Sequence, residues 1–329
     1  MYELERRRRQ SADGPAWLYA SHGHLRTPWR LIVFTMMLYV ASQIVPMVIV
    51  PLFAAFSRLA GEPIPAYSWV MLAAVFVAMV ITLRVVDQES WESVGLGGAF
   101  WKPRPLLLGW LLGSIVITIT ALLLAFGGYL RFDAVSVPVI DGTSVPFYSA
   151  WLATAFRLLI LLAPAALWEE LVFRGYLWKV GEDAGGEMVA LWSTSVAFGL
   201  IHLFNPNAGI RTTILVVLAG LCLGLLRMRI GLPAAWLAHL AWNWVMAAVL
   251  HVPVSGIGFE TPGYRAEVGG PSWLTGGDWG PEGGMMAAVV LTGALMIAER
   301  KHASRWRANF PGVERRRSVK DASTQTERS

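Results

Sequence analysis

Eight apolar stretches, most of them close to the ~20 residues that a helix needs to cross a bilayer, constrain this chain more than any other feature. They run over 31–56, 67–86, 106–130, 151–176, 188–204, 210–227, 232–251 and 285–298. Helices of that length and character, with little polar sequence between them, predict an all-α polytopic transmembrane bundle of about eight spans. Pro46 and Pro51 fall inside the first stretch and predict a kink or an early end there. The last stretch is the shortest.

Composition agrees. Only 15% of the 329 residues are charged and 55% are hydrophobic, against about 25% charged in a soluble domain. A soluble multi-domain reading needs several cores joined by polar linkers, and none is present. The single cysteine, Cys222, rules out an intrachain disulfide framework and any multi-cysteine metal cluster. In its apolar run it reads as a small packing residue.

Positive charge is placed unevenly. "ERRRRQ" stands near the N-terminus and "ERKHASRWRANFPGVERRRSVK" follows the last apolar stretch. Beside membrane spans such clusters read as topology signals and as attraction to anionic lipid, not as nucleic-acid contacts. Every second connection is basic: the N-terminal tail, the loop with Lys102 and Arg104, the connection after Arg174 and Lys179, the Arg227–Arg229 turn, and the C-terminal tail. The loops between hold only Arg58, Arg131, Arg211 and Arg265. The positive-inside rule then puts both termini in the cytoplasm, and the plasma membrane is the expected location. The first apolar stretch opens near Leu31 after a long polar segment and reads as a span, not a cleavable signal.

The resulting organisation is a basic tail (1–30), N-terminal transmembrane helices (31–150), a core (151–251), an external loop with the last helix (252–299), and a basic tail (300–329). The loop from Pro253 to Gly284 is rich in Gly and Pro and is expected to lack regular structure.

Against this background "WEELVFRG" at 168–175 stands out. An ionised side chain deep in a span costs about 2.5–3.5 kcal/mol on insertion scales. Glu170 and Arg174 are four apart and share a helical face, so they can pair. Glu169 is rotated by about 100° from Glu170 and is poorly placed to share the arginine. One carboxylate is then neutralised and the other is left for proton transfer. The competing reading places all three charges in the headgroup region, with Lys179, Glu182 and Asp183 just beyond.

Two later spans carry further polar groups. "AFGLIHLFNP" holds His202, with Phe198 one turn before it and Asn205 three residues after. "AWLAHLAWNW" puts His239 and Asn243 at i and i+4, on one face. A lone histidine among apolar residues is more often structural; two, one with an asparagine beside it, are harder to dismiss. Helix arithmetic brings Glu169 and His202 within about 5 Å of one height around the turn near Ala184–Gly186. His239 reaches that height if this hairpin projects roughly 10 Å further into the cytoplasm.

These three stretches, in order on successive spans, resemble the CAAX-protease and bacteriocin-processing (CPBP) intramembrane endopeptidases. "EELVFRG" is similar to their Glu-Glu-x-x-x-Arg signature, "FGLIH" to their Phe-x-x-x-His motif and "HLAWN" to their His-x-x-x-Asn motif. The stretch "GLCLGLLRMRIGLPAAWLAHLAWN" looks like the passage between the last two. The resemblance covers roughly residues 150–250 and implies an endopeptidase acting on a membrane-associated or lipidated protein or peptide. It implies that Glu169 activates water, that His202 holds or polarises it, and that His239 and Asn243 stabilise the oxyanion. Glu170 and Arg174 are implied as a supporting pair; Phe198 of the second motif and Asn205, beside His202, are further candidates for support.

Zinc is possible: His202, His239 and Glu169 could ligate it with water in the fourth position. Metal-free catalysis is favoured here, because Asn243 is a poor zinc ligand and because the apolar surroundings offer each histidine few supporting partners. The sequence holds neither His-Glu-x-x-His nor Gly-x-Ser-x-Gly. The rival readings are a catalytically silent scaffold or immunity protein and, more remotely, a transporter, for which inverted repeats are lacking. Nothing in the sequence selects the substrate or the oligomeric state.

Overall fold

The computed structural model describes residues 25–60, 64–135, 139–140, 143–144 and 146–309. The basic tails at 1–24 and 310–329 lie outside them. Helix α1 spans Thr27–Ala60 and α2 spans Tyr67–Met79, the latter continuing as a π-helical segment, Val80–Val86. Next come α3 (Pro103–Phe126) and α4 (Phe147–Glu170). A second π segment, Leu171–Tyr176, joins α4 to α5 (Leu177–Gly185). Then follow α6 (Glu187–Ile201), α7 (Ile210–Arg229) and α8 (Leu232–Trp244), which ends in a third π segment, Val245–Val249. A single turn, α9 (Ser272–Thr275), precedes α10 (Met285–Asn309).

The breaks have local causes. Pro103 starts α3 at a position where its missing N–H costs nothing. Gly186, at φ +81°, separates α5 from α6, and Gly231, at φ +121°, separates α7 from α8; both conformations favour glycine.

Among the described residues, six helical stretches are long and apolar enough to cross a membrane: Thr27–Leu59, Tyr67–Val86, Pro103–Phe126, Phe147–Gly185, Glu187–Phe204 and Ile210–Arg229. The other two expected spans are shorter. Met285–Ile297 is the apolar part of α10. Helix α8 lies inside the bundle, packed against α3, α4 and α7, with Ala234, Ala235 and Ala241 fully buried. Shielded from lipid by its neighbours, α8 does not need the length of a lipid-facing span.

Small residues bring α3 onto α8. A Cβ at Gly109 would overlap the backbone of Ala234, and one at Gly113 that of Ala238. Close backbone approach through small residues is the usual means of helix association where lipid and side chains are equally apolar.

Three expectations need correction. Helix α1 does not end at Pro46 or Pro51, which both lie inside it. The third stretch stops being helical at Phe126, and strand β1 (Leu130–Ala134) follows. The loop after Pro253 is structured: β4 (Tyr264–Val268) pairs antiparallel with β1, Leu130 opposite Val268. The loop also contains α9 and two 3-10 turns, Gly277–Trp279 and Pro281–Gly283. Its glycines allow tight packing, as at Gly280 (φ +103°), where a Cβ would overlap the Pro253 carbonyl. Between β1 and α4, a small hairpin pairs β2 (Val139–Ile140) with β3 (Thr143–Ser144).

Candidate active site

Glu169 and Glu170 close α4, and the π segment begins at the next residue. Its wider turn is marked by the bond from the Leu177 N–H to the Val172 carbonyl, five residues back. Such segments concentrate at functional sites. Arg174 lies within it and donates through Nη1 to Glu170 Oε1 at 3.0 Å, both side chains fully buried. Arg174 also donates through Nη2 to the Gly220 carbonyl at 3.1 Å, and its own carbonyl accepts from Arg227 Nε at 3.0 Å. The buried guanidinium is thus held by α7 as well as by its own helix. The i,i+4 pair expected from the sequence is present, with both side chains fully buried in the bundle.

His239 arrives from α8. Its Nδ1 lies 3.0 Å from Glu170 Oε1, and since a carboxylate accepts, Nδ1 carries the hydrogen. Its Nε2 lies 3.8 Å from Glu169 Oε2. One imidazole therefore stands between both carboxylates, a relation that the sequence motifs did not indicate. Glu169 Oε2 and Glu170 Oε2 are buried and hydrogen-bonded to no described residue. Asn243, a turn beyond His239, is half-buried.

His202 forms the end of α6, in a 3-10 turn spanning His202–Phe204. Its Nδ1 lies 2.7 Å from the Phe198 carbonyl. The carbonyl can only accept, so Nδ1 is the donor and Nε2 carries the lone pair of the neutral ring. Phe198 links the motifs: the Arg174 guanidinium sits 4.3 Å from its ring centroid. The rings of His202 and His239 lie 4.6 Å and 5.9 Å from it. Asn205 points elsewhere, donating through Nδ2 to the Ser255 carbonyl at 3.1 Å.

Contrary to the expectation from their apolar surroundings, both histidines have supporting partners. Both Nδ1 atoms have one, Phe198 O for His202 and Glu170 for His239, the arrangement that orients a metal-ligating imidazole. The ligand set is a different matter. Among the described residues no group of three or more His, Cys, Asp or Glu side chains converges as a metal cage.

Other groups that support the site were invisible in the motifs. Tyr176, the last residue of the π segment, donates its hydroxyl to Asp87 Oδ2 at 3.0 Å. Arg30 of α1 donates to the same oxygen and to Asp183 of α5. Phe34 stacks on Tyr176 with centroids 4.4 Å apart. The π segment is therefore braced from α1 and α2, outside the stretch that resembles the CPBP enzymes. A separate brace at Glu282 joins the loop after Pro253 to α8.

No curated protein and no solved structure gives a significant match to this chain. Residues 150–245 match the family model described as type II CAAX prenyl endopeptidase Rce1-like. The matched stretch contains Glu169, Glu170, Arg174, His202, His239 and Asn243 together. Over residues 150–245 this chain, whose long apolar helices fit an integral membrane protein, is therefore similar to the CAAX proteases of the CPBP type.

Proposed function

We propose that the protein is an intramembrane endopeptidase that hydrolyses a peptide bond of a membrane-associated or lipidated substrate with water activated by Glu169. One observation carries this reading: Glu170 Oε1 takes both Arg174 and His239 at 3.0 Å, while Glu169 Oε2 faces His239 Nε2 only at 3.8 Å and is hydrogen-bonded to no described residue. Two neighbouring carboxylates are thus made unequal, which separates a structural group from a proton carrier.

The chemistry follows from that inequality. Glu169 takes a proton from water as the water oxygen attacks the scissile carbonyl carbon. His202, its Nδ1–H held by Phe198, accepts a hydrogen bond from the same water at Nε2. As the carbonyl oxygen becomes an oxyanion, the Asn243 amide N–H donates to it. With its Nδ1–H held by Glu170, His239 gives a second donor at Nε2 when its imidazole is protonated. One such donor is typically worth about 2.7–4 kcal/mol in the transition state. Glu169 then returns its proton to the leaving amine, the carbon–nitrogen bond breaks, and the acid product keeps the water oxygen.

The chain needs no metal in this scheme. If zinc is present, His202 and His239 would offer Nε2 and Glu169 a carboxylate oxygen, and the metal would supply an activated hydroxide. We place the protein in the plasma membrane with both termini cytoplasmic, as the loop charges suggest.

The test compares membrane peptidomes of cells carrying the parent protein with those carrying Glu169→Gln. Peptides that accumulate uncut only with Glu169→Gln are the expected result. A cellular effect that survives Glu169→Gln unchanged would instead mark a scaffold that acts by binding.

A further inference from the structure

We infer that Glu282, in the loop after α8, is a positioning residue that clamps the His202 and Asn243 ends of the site to one another. The inference rests on the protease reading above, and its central residues, Glu282 and Ser255, lie outside the stretch matched to the family.

Glu282 lies in the 3-10 turn Pro281–Gly283 and accepts from three donors. Its Oε2 accepts from the Trp242 indole N–H at 2.7 Å. Its Oε1 accepts from the Ser255 backbone N–H at 2.6 Å and from the Ser255 hydroxyl at 2.8 Å. Trp242 precedes Asn243 on α8. Ser255 in turn offers its carbonyl to Asn205, three residues after His202. A continuous set of hydrogen bonds, Asn205 to Ser255 to Glu282 to Trp242, therefore joins the two flanks of the site through a segment remote in sequence.

Backbone packing closes the same path. Gly256, at φ +82°, lies so close to Pro206 that a Cβ would overlap its carbonyl. The Gly256 N–H donates to the Trp279 carbonyl at 2.9 Å, and the Trp279 side chain is fully buried. The loop is thus seated directly on the turn that follows His202, with no side chain between them.

A carboxylate is suited to this task because it can take all three donors at once. An amide at 282 has only one acceptor oxygen and must leave either the indole or Ser255 facing an N–H. The consequence falls on Asn243, whose N–H must meet the oxyanion. A misplacement of about 1 Å can cost on the order of 10²-fold in rate.

Two measurements on the full-length protein in detergent test the clamp. In a Cys222→Ala background, Asn243→Cys reports local packing through its rate of reaction with N-ethylmaleimide, and Ser93→Cys serves as a remote control. Adding Glu282→Gln or Trp242→Phe should speed labelling at position 243 by about tenfold, a change of about 1.4 kcal/mol, and leave position 93 unchanged. Combining the two should add little, because both remove the same bond. Unchanged labelling at 243, or fully additive effects, would overturn the clamp. Trp242→Phe keeps an aromatic side chain while removing the indole N–H, so it remains informative if Glu282→Gln folds poorly. This arm needs no turnover, which separates failure of the clamp from failure of the protease reading. On a quenched prenylated peptide that the parent cleaves, Trp242→Phe should lower kcat and leave KM nearly constant. A change confined to KM would also overturn the assignment.

Discussion

His239 Nδ1 and Glu170 Oε1 meet at 3.0 Å across 69 residues of chain. Arg174 reaches the same oxygen at 3.0 Å from four residues away. Glu170 is thereby a junction between the local ion pair of α4 and the incoming helix α8. Breaking a buried pair of this kind leaves an uncompensated charge, and the cost is several kcal/mol. The expected behaviour of the neighbouring groups follows from this junction.

Glu169→Gln should abolish cleavage and leave expression and thermal stability in detergent nearly unchanged. The substitution keeps the shape of a side chain that anchors no ion pair to Arg174. Purified variant assayed against purified parent checks it, and substantial residual turnover would remove Glu169 as the base.

Arg174→Ala should be far more harmful to folding than Glu169→Gln. It deprives buried Glu170 and the Gly220 carbonyl of their donor, for an expected loss of about 3–5 kcal/mol. Lower yield and a lower melting temperature are the measurements. Equal stability of the two variants would place Arg174 in water.

Gly113→Ala should destabilise the protein by about 1–3 kcal/mol, the usual range for overpacking, and should slow cleavage. The added methyl meets the Ala238 backbone, one residue before His239, and pushes α3 and α8 apart. Gly98→Ala, which adds its methyl in open space, is the control, and melting curves of both variants decide the matter.

Topology can be read by thiol labelling in a Cys222→Ala background. Single cysteines at Ser11, Ser93 and Ser323 should resist an impermeant reagent in intact cells, and one at exposed Ser272 should react. Labelling of position 323 from outside would mean that α10, whose apolar part is short, does not cross.

Dialysis against a chelator tests the metal. Activity should persist, with less than one zinc per chain by elemental analysis. Loss of activity that returns with one equivalent of zinc would make Glu169, His202 and His239 ligands.

Much of this protein was determined by the linear order of its residues. The apolar stretches dictated a helical membrane bundle, because an unpaired backbone is too costly in hydrocarbon. The spacing of Glu170 and Arg174 dictated their pairing, since positions four apart meet on one helix regardless of what surrounds it. Tertiary structure decided the rest. That His239 stands between Glu169 and Glu170, instead of simply beside Asn243, depends on how closely α8 approaches α4, and the Gly109 and Gly113 contacts that set its neighbour α3 are side-chain absences that no hydropathy pattern reports. The partners of the two histidines came from a backbone carbonyl and from a different helix, so the apolar local sequence misled. Glu282 offered no signal in its Gly-rich loop, because its donors at Trp242 and Ser255 are brought to it only when the loop folds back onto the bundle.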